Sequence, residues 1–512
     1  MRRYLIISAI LIILVGAYYF AERSLLDKNP PSIDNLSWVP VRENLDKIYD
    51  INVTFVARDD KTPISYAELR FIPVEYTYMI EKYGMRPEDY PKVFPPDKER
   101  EFVLTPIDGK FDSLEERFSV PIKDIVGGRE YRIVVLVRDS AGNERIVEVK
   151  TPYIRQFENI AKTDDILVGV FYYPWYGPGR NHWREGYVGT PLLGEYFSGD
   201  QVVISKHIDW MTGHGIDFIL PSWWGPYYEG YSGQPDANFR EFLKNPLAKD
   251  IKFAINYEST GRLKVCGASP FENIFFGNSN RQRFLSDFDY LMDNYFNEPN
   301  FLTIDGKKVV FLYVTRIYQG DFNDTIRELR SRAERKGYKL YIIGDEVFWQ
   351  TPDSRILYFD CNTSTIKAGP VEAEKIKIFD AITSYAMLDP TKHSSDLEQA
   401  IDSKFKEWYN VSRQIGVDFI PSVFPGAFDP NRKITIAEKS TKRFLDQLTI
   451  ARKYLSKPRI LLITSFNEWH ENTYLEPSVT DGFIFLEKLK DFLDAHENLY
   501  KASQADSQQE GG

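Results

Sequence analysis

The sequence predicts an α/β protein in which a (β/α)8 barrel, the TIM-barrel fold, follows a small immunoglobulin-like β-sandwich and an N-terminal membrane anchor. Three observations lead to this prediction. An apolar run begins close to the first residue, strand-like alternation fills residues 46–155, and eight apolar runs separated by helical patterns fill residues 160–501. At 512 residues the chain is long enough for more than one domain.

Residues 1–26 have the pattern of a membrane anchor or a signal peptide. Arg2 and Arg3 precede the apolar run Leu5–Phe20. A cleavage site needs small residues, whereas bulky ones occupy Tyr18–Phe20, and an uncleaved anchor is therefore favoured. The two arginines predict a cytoplasmic N-terminus, with the rest of the chain outside the cell. The protein is then a single-pass membrane protein, or a secreted one if the segment is cleaved.

Residues 27–45 are rich in Pro and Asn and lack periodicity, which predicts an extended tether. Residues 46–155 alternate between apolar and polar positions, for example in Ile51–Val56 and Arg145–Val149, as expected for a β-sandwich. The hairpin turn Asp139–Asn143 (D-x-A-G-N) resembles that of extracellular immunoglobulin-like modules. The charged, Pro-rich stretch Glu81–Glu101 is predicted to be a long loop.

Near-continuous apolar strands that alternate with helices indicate a parallel sheet covered on both faces. The eight predicted strands are Ile166–Tyr173, Ile216–Ser222, Ile251–Glu258, Lys308–Val314, Lys339–Asp345, Phe379–Tyr385, Val417–Phe424 and Arg459–Phe466. The helical patterns are Val202–Thr212, Arg281–Phe296, Asp324–Lys336, Asp396–Gln414, Ala437–Tyr454 and Asp481–Ala495, and the fifth helix, between Glu346 and Lys377, is the weakest. A doubly wound open sheet is the alternative, but no Gly-rich phosphate loop supports it. The tail 502–512 is predicted to be disordered.

Composition excludes several classes of function. The net charge of −10 and the pI near 5.4 argue against a nucleic-acid partner. The two cysteines, Cys266 and Cys361, match no metal-site spacing, and the sequence leaves a bridge between them open. His470 and Glu471 begin like a zinc H-E-x-x-H motif, but Tyr474 occupies the position of the second histidine. No G-x-S-x-G motif is present, and we predict no cofactor and no metal.

A candidate active site follows the eighth predicted strand. Glu468 and Glu471 lie three residues apart and would be neighbours on one face if a helical turn began there. Paired carboxyl groups are the usual catalytic groups of glycoside hydrolases, and a solvated acidic loop is the alternative. In a barrel, the other strand tips add aromatic and hydrogen-bonding side chains, on which pyranose rings pack. We predict that the substrate-binding residues are Tyr172, Trp175, His182, Trp223, Trp224, Glu258, Tyr385, Asn467 and His470.

The sequences at three of these strand ends resemble motifs of glycoside hydrolase family 99. The matching stretches are Val170–Gly177 (VFYYPWYG), Ser222–Gly225 (SWWG) and Ser465–Pro477 (SFNEWHENTYLEP), within a similarity that extends from Ile166 to Leu499. That family contains endo-α-mannosidases and endo-α-1,2-mannanases, together with related proteins of surface polysaccharide systems. The resemblance implies a (β/α)8 barrel and an α-linked, mannose-containing glycan as the substrate.

The resemblance also implies distinct roles for the two carboxyl groups. Glu468 corresponds to a general base that acts on the 2-hydroxyl of the sugar, which forms a 1,2-anhydro sugar with overall retention. Glu471 corresponds to the general acid on the leaving oxygen, and then to the base that activates water. One carboxylate must therefore stay ionised beside a protonated neighbour. Two positions depart from the family pattern: Asn472 stands where the family often has Gly, and Ser259–Thr260 where it often has Pro-Tyr after Glu258.

The sequence as a whole thus predicts a membrane-anchored, extracellular, retaining glycoside hydrolase. The alternative is a non-catalytic or transglycosylating glycan-binding protein of envelope polysaccharide or glycoprotein biosynthesis, which would use the same cleft.

Overall fold

The structure is a computed structural model, and it describes residues 27–44, 48–160, 166–177, 182–267, 272–349, 357–360, 364–368, 373–388 and 397–495. The predicted anchor (1–26) and tail (502–512) lie outside these residues. Among the described residues, no helix combines the length and the apolar character needed to cross a membrane. The chain divides into two compact units, and the segment Tyr78–Asp89 belongs to the second unit although the first continues on both sides of it.

The first unit consists of two antiparallel sheets that share one apolar core. One sheet has the order β1-β2-β5 and the other β4-β3-β6-β7. Burial alternates along β6, where Tyr131, Ile133, Val135 and Val137 all point into the core. The strands are β1 (Ser32–Asn44), β2 (Ile48–Arg58), β3 (Ile64–Pro73), β4 (Arg100–Val103), β5 (Glu115–Val126), β6 (Tyr131–Asp139) and β7 (Glu144–Lys150). The immunoglobulin-like character of this sandwich stays a prediction.

Two sequence predictions for this part of the chain are wrong. The tether predicted for residues 27–45 contains β1, which pairs with β2; register shifts at Asp34/Ser37 and Pro40/Arg42 break the two-residue period by which a strand is recognised. The loop predicted at 81–101 contains the end of one short helix, a second helix and the start of β4. The D-x-A-G-N turn joins β6 to β7, as predicted.

The second unit is built on a parallel sheet with the order β21-β20-β17-β15-β11-β9-β8-β25-β22. Because β21 and β22 both belong to the predicted strand 417–424, the sheet returns to the strand from which it began, as expected for a (β/α)8 barrel. The strands are β8 (Leu167–Tyr172), β9 (Phe218–Trp223), β10 (Lys252–Phe253), β11 (Ile255–Tyr257), β12 (Val265–Cys266), β13 (Asn273–Phe276), β14 (Thr303–Ile304), β15 (Lys307–Leu312), β16 (Tyr318–Gly320), β17 (Leu340–Asp345), β18 (Leu357–Asp360), β19 (Thr365–Ala368), β20 (Ala381–Thr383), β21 (Asp418–Phe419), β22 (Ser422–Val423), β23 (Ala427–Asp429), β24 (Ile434–Ala437) and β25 (Ile460–Ile463).

Helices separate the sheet strands, and residues 484–495 are also helical. One of them, α4, was not predicted, because its first turn follows a Gly-rich loop and contains Pro235. The fifth helix is represented, among the described residues, by the hairpin β18–β19 and a single short helix, α8. The helices are α1 (Tyr78–Tyr83), α2 (Tyr90–Val93), α3 (Gln201–Thr212), α4 (Gln234–Lys244), α5 (Ser259–Arg262), α6 (Asn278–Asn294), α7 (Phe322–Arg335), α8 (Ala373–Ile376), α9 (Leu397–Ile415) and α10 (Thr441–Arg452).

Candidate active site

The candidate catalytic segment follows β25, whose four residues are all buried. Residues 464–472 form bends and turns, so the helical turn considered for Glu468 and Glu471 is not formed. The segment is held by hydrogen bonds instead. The Glu468 amide donates to Ser465 Oγ (2.8 Å), and the Phe428 amide donates to the carbonyl of Glu471 (2.7 Å).

Asn472 has a backbone φ of +55°, in the left-handed region. Glycine adopts this conformation without cost, and Asn is among the few other residues that tolerate it. The departure from the family's Gly at this position therefore preserves the backbone path beside Glu471. The second departure, Ser259, begins the short helix α5 after Glu258, a first-turn position that also accepts Pro.

Glu468 is hydrogen-bonded by His470. Its Oε1 accepts from the His470 backbone amide (3.0 Å) and from Nδ1 (3.1 Å), while Nε2 of the same ring donates to the carbonyl of His182 (2.7 Å). Both ring nitrogens therefore face oxygen atoms that can accept a hydrogen bond. Burial lowers the pKa of His470, but the hydrogen bond to Glu468 and the charge of that carboxylate outweigh burial and raise it. The backbone amide and the ring of His470 thus both contact the same oxygen of Glu468.

The surroundings of Glu471 favour the protonated form of its carboxyl group. Burial, followed by the negative charge of Glu468, raises the pKa of Glu471 to about 8, although a hydrogen bond from Tyr385 acts in the other direction. Tyr385 donates to Glu471 Oε2 over 2.9 Å. The side chain stays partly exposed, so a ligand can reach it. The two carboxyl groups thus have different surroundings, and those of Glu471 favour its protonated form.

A tyrosine pair extends from Glu471 to the end of β8. Tyr173 donates to the hydroxyl of Tyr385 (2.8 Å), which donates to Glu471. Tyr172, predicted to bind substrate, points the other way: it is fully buried, and its hydroxyl lies 3.1 Å from His207 Nδ1. Side chains alternate across a strand, and Phe171, two residues before Tyr173, packs on Tyr385 inside the barrel. Tyr173 therefore replaces Tyr172 in the site.

The same alternation corrects the prediction for Trp223. This ring is buried, donates to Asp236 Oδ1 (2.7 Å) and packs beside Tyr257, away from the carboxyl pair. Trp224 is the residue that remains partly exposed. Its Nε1 donates to Ser222 Oγ (2.8 Å), and that hydroxyl donates to Glu258 Oε1 (2.7 Å).

Glu258 is a third buried carboxylate near the pair. It also accepts from Asn256 Nδ2 (2.8 Å), and its charge contributes to the raised pKa of Glu471. The structure thus brings Glu258 and Trp224 to the predicted site.

Aromatic rings surround Trp175, another predicted residue. Its ring centroid lies 4.1 Å from that of His182, 4.5 Å from Tyr173, 6.0 Å from Trp224 and 6.2 Å from His470. These rings form one continuous wall beside Glu468.

Asn467 has a structural role. Its side chain is buried, with Oδ1 accepting from the Tyr173 amide (2.7 Å) and Nδ2 donating to the Tyr173 carbonyl (3.0 Å). Both polar atoms hold the end of β8 against the segment after β25. Asn467 is therefore a positioning residue, not one of the substrate contacts that we predicted.

Tyr173 and Tyr313 also lie at the site, although neither was among the predicted substrate-binding residues. The Tyr313 ring lies 5.5 Å from that of Tyr385, and burial, then the charges of Glu471 and Glu258, raise its pKa. The alternation of side chains along a strand could have identified Tyr173, because the residue two positions after an inward-facing Phe171 also faces inward.

Three side chains near the pair present possible metal ligands. Atoms of His182, Glu185 and His470 lie within 4.8 Å of one another. The two His470 ring nitrogens, however, contact Glu468 and the His182 carbonyl, so a metal on this ring would have to break one of these contacts. A second such group, Asp27, Asp59 and Asp139, lies in the first unit.

Comparison with known proteins supports the resemblance. The chain is 22% identical over 370 residues to glycoprotein endo-alpha-1,2-mannosidase of Xenopus laevis, covering 65% of this chain and 74% of the relative. The Rattus norvegicus protein of the same name is 23% identical over 362 residues (61% and 68%). A family model described as Glycosyltransferase WbsX matches residues 271–489.

Solved structures of similar proteins include the GH99 endo-alpha-mannosidase from Bacteroides thetaiotaomicron, at 19% identity and a TM-score of 0.47, covering 66% of this chain and 99% of that one. The resemblance to glycoside hydrolase family 99 that the strand-tip motifs carry is thus confirmed by the curated relatives of this chain.

Proposed function

We propose that the chain is a retaining glycoside hydrolase that acts on an α-linked, mannose-containing glycan. The observation that carries the proposal is the unequal surroundings of the carboxyl pair: His470 contacts one oxygen of Glu468 through its backbone amide and its ring, whereas burial and the charge of Glu468 raise the pKa of Glu471 to about 8. A solvated acidic loop would leave both groups ionised at neutral pH. The curated endo-mannosidase relatives support the same substrate class.

In the proposed reaction, Glu468 removes the proton of the sugar's 2-hydroxyl while O2 attacks the anomeric carbon. The bond to the leaving oxygen breaks, and Glu471 transfers its proton to that oxygen. Glu471, now ionised, takes a proton from water, which opens the 1,2-anhydro sugar at the anomeric carbon, and Glu468 returns its proton to O2. Two displacements at the same carbon leave the configuration retained.

The surrounding side chains suit a sugar in this position. The rings of Trp175 and Trp224 offer faces for the apolar C–H surface of a pyranose, and Glu258 is an acceptor for its hydroxyls. Tyr173 and Tyr385 orient the acid.

The test is incubation of the purified protein with an α-1,2-linked mannan and with α-mannosyl oligosaccharides, followed by NMR of the first product anomer. We expect an α product, and loss of at least a thousandfold in rate for Glu471→Gln, which keeps the shape but has no carboxylic proton to donate. Glu487→Gln, an exposed change, is the control. A β product, or full activity of Glu471→Gln, would overturn the proposal.

Glycosyl transfer is the second candidate, and the family model that matches residues 271–489 favours it. The same site would then pass the sugar to a hydroxyl acceptor in place of water. Adding mannobiose to the reaction distinguishes the two: transfer yields longer products that increase with acceptor concentration, whereas hydrolysis yields only shorter ones.

We also propose that residues 1–26 anchor the protein in a membrane, with the two units outside the cell. The charge and apolar pattern of the sequence motivate this proposal. Recovery of the full-length chain in a salt-washed membrane fraction, and its digestion by protease added to intact cells, are the expected results. A chain found whole in the cytoplasmic fraction would overturn it.

A further inference from the structure

A second cavity, of about 630 Å³, lies in the second unit. Small-molecule sites have volumes of about 300–1,000 Å³. None of the residues that surround Glu468 and Glu471 lines this cavity. Its walls come from Lys82–Gly84, Gly177 and the stretch from Trp183 to Phe197. We propose that this cavity is a second carbohydrate site, which binds a neutral pyranose unit independently of the hydrolytic centre.

Aromatic rings form much of the cavity wall. Trp183 is stacked on Tyr176 with ring centroids 3.9 Å apart, and Tyr187 meets Trp183 edge-on at 5.1 Å. Phe197 adds a partly exposed ring. Rings that are fixed by packing and still border a cavity offer the flat apolar faces on which the C–H surface of a pyranose packs.

The polar groups at the mouth favour a neutral ligand. Exposed Glu195 accepts from the Tyr187 hydroxyl (2.8 Å), and exposed Lys82 and Thr190 lie on the same rim. One acid and one base cancel in charge, so neither a phosphate nor a cation is preferred. Sugar hydroxyls both donate and accept, which matches a rim that contains a carboxylate, an ammonium group and a hydroxyl.

The wall on the Tyr83 side is preformed. The hydroxyls of Tyr78 and Tyr83 donate to Asp200 (3.1 and 3.0 Å), which also caps helix α3. The Glu195 amide donates to the Tyr83 carbonyl (2.7 Å), and a Cβ at Gly194 would lie 2.2 Å from that oxygen. A wall that is ordered before the ligand arrives lowers the entropic cost of binding.

The stretch from Trp183 to Phe197, which lines the cavity, is hydrogen-bonded to the segment that follows β25. The Val188 amide donates to the carbonyl of Trp469 (3.0 Å), and the Leu192 amide donates to that of Pro477 (3.0 Å). Trp469 lies between Glu468 and Glu471 in sequence. The residues that line the cavity thus belong to a stretch whose backbone is hydrogen-bonded to the segment that carries the acid.

The experiment titrates the full-length protein with α-1,2-mannobiose by calorimetry and by saturation-transfer NMR. We expect two binding events in the wild-type protein. Thr190→Trp, which fills the cavity from its exposed rim, should remove one of them, and Trp224→Ala should remove the other. Thr449→Trp, an exposed change on α10, is the matched control and should keep both.

A second variant, which keeps the shape of the cavity, tests the proposal even if Thr190→Trp does not fold. The double change Lys82→Gln and Glu195→Gln should weaken the surviving event of Trp224→Ala at least fivefold. A Thr190→Trp variant that keeps every binding event of the wild-type protein, or the absence of any binding event in the wild-type protein, would overturn the proposal. Because binding is measured and not turnover, absence of hydrolysis tests the proposed function and leaves this result unaffected.

Discussion

At the scale of single residues, the hydrogen-bond donors and the neighbouring charges distinguish two chemically identical carboxyl groups. His470 donates twice to one oxygen of Glu468. Glu471 accepts one hydrogen bond from a neutral donor, Tyr385, and burial and the negative charge of Glu468 raise its pKa. The first arrangement favours the carboxylate, and the second favours the protonated acid. The roles of base and acid follow from these neighbours.

Tyr385→Phe tests the acid directly. Burial and the charge of Glu468 raise the pKa of Glu471, and the Tyr385 hydroxyl lowers it, so losing the hydroxyl should raise this pKa above about 8. The acid must be protonated, and activity is therefore lost as pH rises through this pKa. We expect the alkaline limb of the pH profile of kcat/KM to move to higher pH. Tyr338→Phe, on the surface, should leave the limb in place; a limb that moves to lower pH in Tyr385→Phe contradicts the assignment.

Tyr172 and Tyr173 provide a matched pair of neighbouring tyrosines. Tyr173→Phe removes the buried donor to Tyr385 and should lower kcat/KM. Tyr172→Phe removes a buried hydrogen bond to His207 and should cost about 1 kcal/mol in the free energy of unfolding, with kcat/KM retained. Denaturant titration and initial rates measure both quantities. The opposite pattern would return Tyr172 to the site.

The chemistry of the site was predictable from residue types, but which side chains face inward was not. The carboxyl pair, Trp175, Trp224, Glu258 and Tyr385 are found together, whereas Tyr172 and Trp223 are buried elsewhere. Motifs such as YYPWYG and SWWG contain adjacent aromatic residues, and a shift of one residue exchanges the two faces of a strand. The contact of Phe171 with Tyr385 shows which residues of this strand face the inside of the barrel.

At the scale of elements, the segment after β25 is held by a buried acceptor, Glu476. It accepts from Trp469 Nε1 (2.8 Å) and from the Tyr196 hydroxyl (2.7 Å), and its other oxygen lies 3.1 Å from His207 Nε2. Trp469 also stacks on Tyr474 at 3.7 Å. These contacts fix the turn that carries both catalytic carboxyl groups without a helix or a strand.

Glu476→Ala should therefore be costly. Buried donors left without an acceptor cost about 1–3 kcal/mol each, so we expect a loss of about 3 kcal/mol or more in the free energy of unfolding. Activity should also fall at temperatures where the variant is folded, because Trp469 loses its anchor. Glu487→Ala, an exposed change on the helix 484–495, should stay within about 0.5 kcal/mol of wild type. Equal stability of the two variants would show that Glu476 does not hold the segment.

The parallel strands of the barrel were predictable because each is apolar throughout, and their order follows from the chain alternating between strand and helix. Elements with a broken period were missed. Bulges interrupt β1, and α4 follows Gly233 and has Pro235 in its first turn. In both cases pairing or packing with distant residues stabilises an element that its local sequence does not specify.

At the scale of the whole molecule, β1 determines where a soluble fragment can begin. β1 covers one edge of β2, and its residues Ile33, Leu36 and Trp38 pack against the core of the first unit. A chain that starts at Asp46 lacks this strand and exposes β2 as an unpaired edge. A chain that starts at Asp27 retains it.

We compare the temperature at which the first unit unfolds in the two fragments. This temperature should be higher by at least about 5 °C in the Asp27 fragment than in the Asp46 fragment. In a small domain, a change of about 1 kcal/mol in the free energy of unfolding shifts Tm by ~4–8 °C. Scanning calorimetry measures this, and the Asp46 fragment should also aggregate more readily. Below that transition both fragments should cleave α-mannan at the same rate, because every residue of the carboxyl site belongs to the second unit. Equal melting of the two fragments would mean that β1 contributes no stability to the sandwich.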